Sequence, residues 1–237
     1  MAMIGELDAI VREVFMRRYA GLLGRGVVAV AALVMMIGLS GCQSTYYDIW
    51  EKLGYHKRDI LVERVGKARD GQQAAKEQFQ TTLEKFKGVT NFSGGDLEKK
   101  YNELSDEYDR CESRAKTVSE RIESVDAVAQ ALFKEWQEEL AQYNSADLKA
   151  KSEGELRATR GRYDQLLAAM KAAEAKMKPV LGAFHDQVLF LKHNLNAAAI
   201  ASLEGTKVTL QADVDKLIAD MQRAIDESNK FISGMKQ

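Results

Sequence analysis

The apolar positions of residues 97–136 recur at alternating intervals of four and three residues. Between Glu98 and Asp126 all positions outside this apolar series are polar. A period of 3.5 residues is typical of a heptad coiled coil with a left-handed supercoil. The series predicts a long second helix from Asp96 to Tyr143, about 70 Å in length, with the Asp96 carboxylate as N-cap. Its apolar seam comprises Leu97, Tyr101, Leu104, Tyr108, Cys111, Ala115, Val118, Ile122, Val125, Ala129, Leu132 and Trp136.

Helical spacing also predicts an element on each side of this long helix. A first helix is expected from about Arg58 to Phe86, because apolar residues recur there at helical intervals. Residues 144–154 are polar and glycine-containing, which favours a turn. Ser152 and Glu155 have the spacing of a capping box, so a third helix is expected to begin there.

The third helix is expected to end at Gly205 and Thr206, before a fourth helix that reaches Ile232. Short connections favour antiparallel neighbours. The predicted fold class is therefore all-α: an antiparallel helical bundle with an extended two-helix coiled-coil hairpin. In this arrangement helices one and four cover only the lower halves of helices two and three. Pro179 would bend helix three, either as a static kink or as a hinge.

The upper hairpin carries more apolar residues than one seam requires. Val128 and Phe133 lie beside seam residues such as Trp136. If only two helices run there, part of this surface is exposed, and exposed apolar area marks a partner or self-association. The alternative is that the bundle extends further and buries these side chains. Charge favours the hairpin pairing, because three glutamates of helix two would face three arginines of helix three. These are Glu135, Glu138, Glu139, Arg157, Arg160 and Arg162.

A different pattern precedes the helices. An apolar run of about 13 residues ends in Leu39, Ser40, Gly41 and Cys42, and arginines lie upstream of it. This sequence resembles the lipobox of a bacterial lipoprotein, which implies cleavage before Cys42 and lipid on that cysteine. The alternative is an uncleaved membrane anchor. Because acidic residues precede the arginines, Met16 is a candidate for the true start.

The predicted organisation has three parts. Residues 1–41 form the signal peptide, residues 42–57 form the lipid anchor and an aromatic linker, and residues 58–237 form the bundle with its hairpin. The aromatic and basic linker has two interpretations of equal weight: its rings rest at the lipid interface, or they dock on the bundle. The whole chain has 34 basic and 35 acidic residues, a balance that does not suggest nucleic-acid binding.

The remaining residues offer little chemistry. His185 and His193 are eight residues apart, whereas a helical zinc pair needs three or four. We therefore expect no metal, no cofactor and no catalytic residue. Cys111 occupies a seam position, which favours a buried small apolar side chain; the alternative is an intermolecular disulfide in a symmetric dimer.

Two segments carry a resemblance to a known family. The stretch from Gln43 to Lys52 after the lipobox and the loop from Asn91 to Asp96 resemble an uncharacterised family of proteobacterial lipoproteins, the domain of unknown function 2959. The resemblance implies a Gram-negative source and an all-helical fold, and it brings no activity. Gln43, rather than aspartate, after the lipidated cysteine resembles an outer-membrane sorting signal.

Together these observations predict a palmitate-bearing outer-membrane lipoprotein that faces the periplasm. Its expected role is non-enzymatic binding or spacing in the cell envelope, with partner contact or self-association through Val128, Phe133 and Trp136. The alternative is a small-ligand carrier or enzyme with a site inside the bundle base, lined by His185, His193 and carboxylates. A protein whose helices lie flat on lipid is opposed by the narrow seam, because such helices need a broad apolar face.

Overall fold

A computed structural model describes residues 56–92, 94 and 96–236 of the chain. Nearly all of these residues lie in four α-helices, and the described part contains no strand. A 3₁₀ turn, Leu140–Gln142, follows the second helix. The predicted all-α bundle is thereby confirmed. The helices are α1 (Lys57–Thr90), α2 (Leu97–Glu139), α3 (Ala146–His193) and α4 (Ala197–Met235).

The four helices alternate in direction around one core. α1 packs against α2 and α4, and α3 packs against the same two helices. The predicted seam of α2 accounts for its contribution to this core, since the seam positions from Leu104 to Leu132 are buried except for Tyr108. Leu97, Tyr101, Tyr108 and Trp136 are partly exposed. The largest fully buried side chains come from all four helices: Tyr163, Phe79, Phe86, Phe133, Phe184, Phe231, Leu61, Leu104, Ile122, Leu166, Met170 and Leu191.

The start of α2 is as predicted, whereas the start of α3 is not. The Asp96 side chain accepts a hydrogen bond from the Lys99 backbone N at 2.9 Å. α3 begins two turns before the expected capping box, because Ser145 caps it by accepting from the Leu148 backbone N at 3.4 Å. Ser152 lies inside α3, where its Oγ accepts a hydrogen bond from Trp136 Nε1 at 2.8 Å.

The break before α4 also lies elsewhere than expected. Gly205 and Thr206 are inside α4, and α3 ends instead at His193. The Asn196 side chain accepts from the Ala199 backbone N at 3.0 Å and starts α4. A single exposed glycine costs a helix only about 1 kcal/mol, which the buried apolar face of α4 outweighs. α3 itself continues through Pro179.

The four-helix region reaches further along the hairpin than predicted, because α1 begins beside the end of α2 and not beside its middle. Lys57, the first residue of α1, pairs with Glu135 near the end of α2, with 2.8 Å between Nζ and Oε1. Near the end of α4, a Cβ added at Gly234 would lie 3.5 Å from Arg162 Nε. Only the last turn of α2 and the first turns of α3 extend beyond these contacts.

The two ends of the bundle are distinguished by the loops and helix ends that they hold. We call the end that holds His56, Met235 and the α2–α3 turn the hairpin end. The other end holds the α1–α2 loop and the α3–α4 turn, and we call it the loop end. There Lys207 Nζ lies 2.7 Å from Asn91 Oδ1, which joins α4 to the end of α1.

One buried polar side chain has no partner in the described residues. Gln72 of α1 is fully buried, and neither its amide nitrogen nor its amide oxygen makes a hydrogen bond. Asp220 of α4 is also buried, but it is paired with Lys176 and with Arg223, the latter at 2.8 Å. Gln72 is therefore an uncompensated polar group in the core.

Candidate functional site

The side chains predicted to meet a partner at the upper hairpin are mostly in the core. Val128 is 0% exposed and Phe133 is 1% exposed, so the expectation that they face solvent is wrong. The physical reason is the position of α1 and α4 along the hairpin: the start of α1 lies beside Glu135 and the end of α4 lies beside Arg162. Trp136 is partly exposed, and its indole nitrogen is engaged with Ser152. The alternative of an extended bundle accounts for this region.

Phe133 belongs to an aromatic cluster at the hairpin end of the core. Its ring centroid lies 5.4 Å from that of Tyr163, which in turn lies 6.3 Å from Phe231 of α4. The Tyr163 hydroxyl donates to Asp126 Oδ1 at 2.6 Å. Burial, together with the neighbouring Asp126, raises the pKa of Tyr163 far above its usual value, so it stays a neutral donor. The cluster joins three helices and is structural.

The contacts of Glu135, Glu138, Arg160 and Arg162 differ from the predicted glutamate–arginine pairs. Glu135 pairs with Lys57, and Glu138 lies 3.9 Å from Lys134 of its own helix. Arg160 lies over the Phe133 ring, with 5.1 Å from Cζ to the centroid. Arg162 Nη2 donates to Thr159 Oγ1 at 2.9 Å. These arginines therefore cover the core and cap its aromatic cluster.

A cavity of about 680 Å³ lies at the hairpin end. Leu132 and Trp136 form part of its wall, and Arg162 contributes a buried Nε that has no hydrogen-bond partner in the described part of the chain. The sequence suggested no cavity here, because the residues come from all four helices. It is lined by Arg58, Leu132, Glu135, Trp136, Glu139, Glu155, Thr159, Arg162, Gly234 and Met235.

A second opening, which we call the α2–α3 groove, runs along the outside of the bundle between these two helices. Its volume is about 970 Å³. Ala115 and Met177 are buried at its floor, and charged side chains form both rims. Its lining comprises Asp109, Glu112, Ser113, Ala115, Lys116, Ser119, Lys171, Glu174, Ala175, Met177, Lys178 and Leu181.

The two histidines considered for a site in the bundle base are exposed on the surface of α3. His185 is 53% exposed, and its ring centroid lies 5.7 Å from that of Tyr108. His193 is exposed at the end of the helix. Within residues 56–236, apart from the undescribed positions 93 and 95, no group of His, Cys, Asp or Glu side chains could hold a metal ion. Both histidine side chains therefore lie on the outer surface of α3 and not inside the bundle base, where the alternative placed them.

Cys111 is a buried, free thiol in the core. Its 0% exposure contradicts the intermolecular disulfide that was considered from sequence, because no second chain can reach its sulfur. Burial raises the pKa of the thiol to about 12. The thiolate is the reactive form of cysteine, so Cys111 is chemically inert in the folded bundle.

Large exposed apolar side chains lie at both ends of the bundle: Tyr143 and Leu148 near the α2–α3 turn, and a larger group near the α3–α4 turn. Leu189 is 50% exposed, Phe190 39% and Leu195 38%. Val208 of α4 is exposed as well. Among the helices that the structure describes, none has an apolar stretch long enough to cross a membrane. The lipobox residues Leu39, Ser40, Gly41 and Cys42, the candidate start Met16 and the aromatic linker lie outside the described residues.

The fold and its surfaces define a long antiparallel four-helix bundle, and the hairpin-end cavity and the α2–α3 groove open to solvent from its described residues. A family model described as "Protein of unknown function (DUF2959)" matches residues 46–235. Since this match covers more than half of the chain, the protein belongs to that family. No curated protein and no solved structure matches the chain. The resemblance to the domain of unknown function 2959 is confirmed.

Proposed function

We propose that this protein is a lipid-anchored outer-membrane lipoprotein that faces the periplasm and acts as a non-enzymatic binding or spacer module of the cell envelope. Two kinds of support come together. The sequence from Leu39 to Cys42 resembles a lipobox. The bundle is about 70 Å long, because α3 has 48 residues that each rise about 1.5 Å.

The observation that carries the proposal is the position of the start of α1. Lys57 pairs with Glu135, so the chain enters the bundle at the hairpin end. Residues 43–55 lie between Cys42 and His56, and a chain of this length spans at most about 50 Å when fully extended. Since this tether is shorter than the rod, lipid on Cys42 would hold the hairpin end nearer the membrane. The loop end would then project into the periplasm.

This orientation changes which end could meet a partner. The sequence placed partner contact at the upper hairpin, but the start of α1 lies at the same end as the α2–α3 turn. The projecting end carries the exposed side chains of Leu189, Phe190 and Leu195 around the α3–α4 turn. Exposed apolar side chains of this size favour contact with another protein when they lie together. We therefore place the binding part of the function at the loop end.

Radiolabelled palmitate in growing Gram-negative cells tests the anchor. The wild-type chain should incorporate the label, and Cys42→Ser should lose it, because the thiol that carries the acyl chain is gone. Cys111→Ser is the matched control and should keep the label, since Cys111 is buried in the core. Absence of label from the wild-type chain, or its loss from Cys111→Ser alone, would contradict the proposal.

A small-ligand carrier is the second candidate, and the hairpin-end cavity favours it. The cavity has the volume of ordinary ligand sites, and Trp136 lies beside the unpartnered Nε of Arg162. A thermal-shift screen of small carboxylates and phosphates against the full chain tests this function. A hit should raise the melting temperature of the wild type and not that of Arg162→Gln. Equal shifts for both proteins would contradict a site at Arg162.

A further inference from the structure

The charged rims of the α2–α3 groove follow a regular order. On α2, the lining residues Glu112 and Lys116 are followed at the same four-residue interval by Glu120, just beyond the groove, and the three alternate in sign. Asp109 is a further acidic lining residue, one turn before Glu112. On α3, Lys178, Glu174 and Lys171 alternate in the opposite sense. The described ion pairs of these residues stay within one helix: Lys116 with Glu120 at 4.0 Å and Lys171 with Glu174 at 2.8 Å. The rims therefore keep charges that can pair across an interface.

Two contacts fix the levels of these charges along the bundle. The rings of Tyr108 and His185 meet on the loop-end side of the groove, and the Tyr163 hydroxyl meets Asp126 on the hairpin-end side. Because α2 and α3 are antiparallel, positions between these contacts can be matched by counting residues in opposite directions. Glu112 then lies within about one turn of the level of Lys178. By the same count, Lys116 lies near the level of Glu174, and Glu120 lies near the level of Lys171.

We propose that this groove is the interface between two copies of the chain, related by a twofold axis parallel to the helices. Such an axis places α2 of one copy opposite α3 of the other at the same level. Glu112, Lys116 and Glu120 of one copy then face Lys178, Glu174 and Lys171 of the second. All three levels bring opposite charges together, and the symmetry makes each contact twice. The apolar floor, including Met177, closes against its counterpart.

The competing symmetry is disfavoured by the same charges. A twofold axis perpendicular to the helices places α2 opposite α2 and α3 opposite α3 of the second copy, in opposite directions. Centred on the groove, it would put Lys116 against Lys116, Glu174 against Glu174 and Lys171 against Lys178. Like charges brought face to face oppose association and specify against a wrong arrangement. The charge order therefore selects parallel copies.

The groove has apolar surface beyond its rims. Leu189 follows Lys178 by eleven residues, about three helical turns, so both lie on the same side of α3. Leu189 is 50% exposed. A contact strip about 30 Å long and about 20 Å wide buries roughly 600 Å² on each copy, near the lower limit of specific interfaces. Weak association of this kind is strengthened when both copies are held on one surface.

Parallel copies also agree with the proposed function, on which this part of the inference rests. Two rods tethered at their hairpin ends to one membrane must point the same way, and the parallel axis satisfies that requirement. The charge order does not depend on the lipid. Dimer formation and lipidation can therefore succeed or fail separately.

Cysteine pairing between two differently tagged full-length chains in the same cells tests the interface. One chain carries Glu112→Cys and the other Lys178→Cys, so a disulfide between the two tags can form only between chains. Mild oxidation should give a covalent dimer that carries both tags. The matched control pairs Glu112→Cys with Gln80→Cys, an exposed position of α1 that lies away from the groove. A yield no higher than in this control overturns the proposal.

A third experiment, with a single cysteine variant, distinguishes the parallel from the antiparallel arrangement of the two copies. Lys116→Cys alone should stay monomeric on oxidation if the copies are parallel, whereas self-crosslinking through this position would show the antiparallel arrangement and overturn the proposal. Palmitate incorporation is measured in the same cells. Label without the mixed dimer refutes the interface alone, and the mixed dimer without label refutes the anchor alone.

Charge reversal gives an independent measurement on the purified full chain in detergent. Glu112→Lys or Lys178→Glu should each weaken self-association at least several-fold in sedimentation velocity, because each change creates two like-charge contacts in the dimer. The double variant should restore it, since the reversed charges attract again. Lys134→Glu on the surface of α2 is the control and should have no effect. Failure of the double variant to recover association would overturn the assigned pairing.

Discussion

Gln72 is a buried polar side chain that we expect to lower the stability of the core. Its amide is fully buried and makes no hydrogen bond within the described residues. Gln72→Met keeps the shape of the side chain and removes the polar group, so we expect the free energy of unfolding to rise by about 1–3 kcal/mol. Thermal denaturation followed by circular dichroism should show a melting temperature higher by several degrees. Gln80→Met, exposed on the same helix, should change it little; equal effects would contradict this explanation.

Phe133 separates a core role from a surface role. Phe133→Ala removes a ring that packs against Tyr163 and lies under Arg160, which should lower the free energy of unfolding by about 3–5 kcal/mol. The melting temperature should fall by about 10 °C or more. Phe190→Ala is the control, because that ring is 39% exposed and should contribute little. A small effect at Phe133 would return this residue to the list of candidate contacts.

At the residue scale, the sequence predicted burial correctly where the local pattern of apolar and polar residues determines it. The seam of α2 was identified because its apolar residues are separated by uninterrupted polar ones, and the seam residues Cys111, Ile122 and Val125 are fully buried. Gln72 was missed, because a glutamine at a core position looks the same as a glutamine on the surface. Its burial depends on which neighbours the other three helices bring.

Two glycines of α1 test what holds this helix against α2. A Cβ added at Gly66 would meet no heavy atom within 4 Å, whereas one at Gly71 would lie 2.7 Å from Arg121 Nη1. That same nitrogen donates to the Lys67 carbonyl oxygen at 2.6 Å. Gly66→Ala should stabilise the protein by about 0.5–1 kcal/mol through helix propensity. Gly71→Ala should be about 1–2 kcal/mol less favourable, since Arg121 must move and lose its bond. Urea denaturation measures both, and equal midpoints would refute the contact.

At the element scale, the errors are all in helix ends. Ser152 and Glu155 have capping-box spacing, but Ser145 is the residue whose side chain caps α3. Gly205 was taken as a break, although Asn194 and Asn196 interrupt the helix instead. Local signals of about 1 kcal/mol are easily exceeded by burial of a long apolar face. Element type was therefore predictable, and the boundaries were not.

At the scale of the whole molecule, an error in the register of the helices had a large effect. Placing the first and fourth helices beside only the lower halves of the hairpin left Val128 and Phe133 in a two-helix stalk that looked exposed. At the hairpin end α1 gains one residue and α4 gains three over the prediction, but α1 begins level with Glu135, and the core closes around both side chains. The hairpin-end cavity and the α2–α3 groove could not be predicted at all, because each combines residues from separate helices.

The proposed orientation of the rod can be measured on the membrane. A fluorophore at Tyr143→Cys marks the hairpin end, and one at Leu195→Cys marks the loop end; the two native side chains are similarly exposed, at 42% and 38%. In vesicles that contain the lipidated full chain and a quenching lipid, the label at position 143 should be quenched more strongly. Equal quenching, or stronger quenching at position 195, would contradict a membrane-facing hairpin end.

The reactivity of the Cys111 thiol can be used to measure how often the folded bundle opens. Burial raises the pKa of this thiol to about 12, so the reactive thiolate is scarce at neutral pH, and none of the side chain touches solvent. An alkylating reagent must therefore wait until α1 and α2 separate. The rate at which the thiol disappears from native protein then reports how often the bundle opens, and substitutions that loosen the core shorten that interval without any change in the reagent.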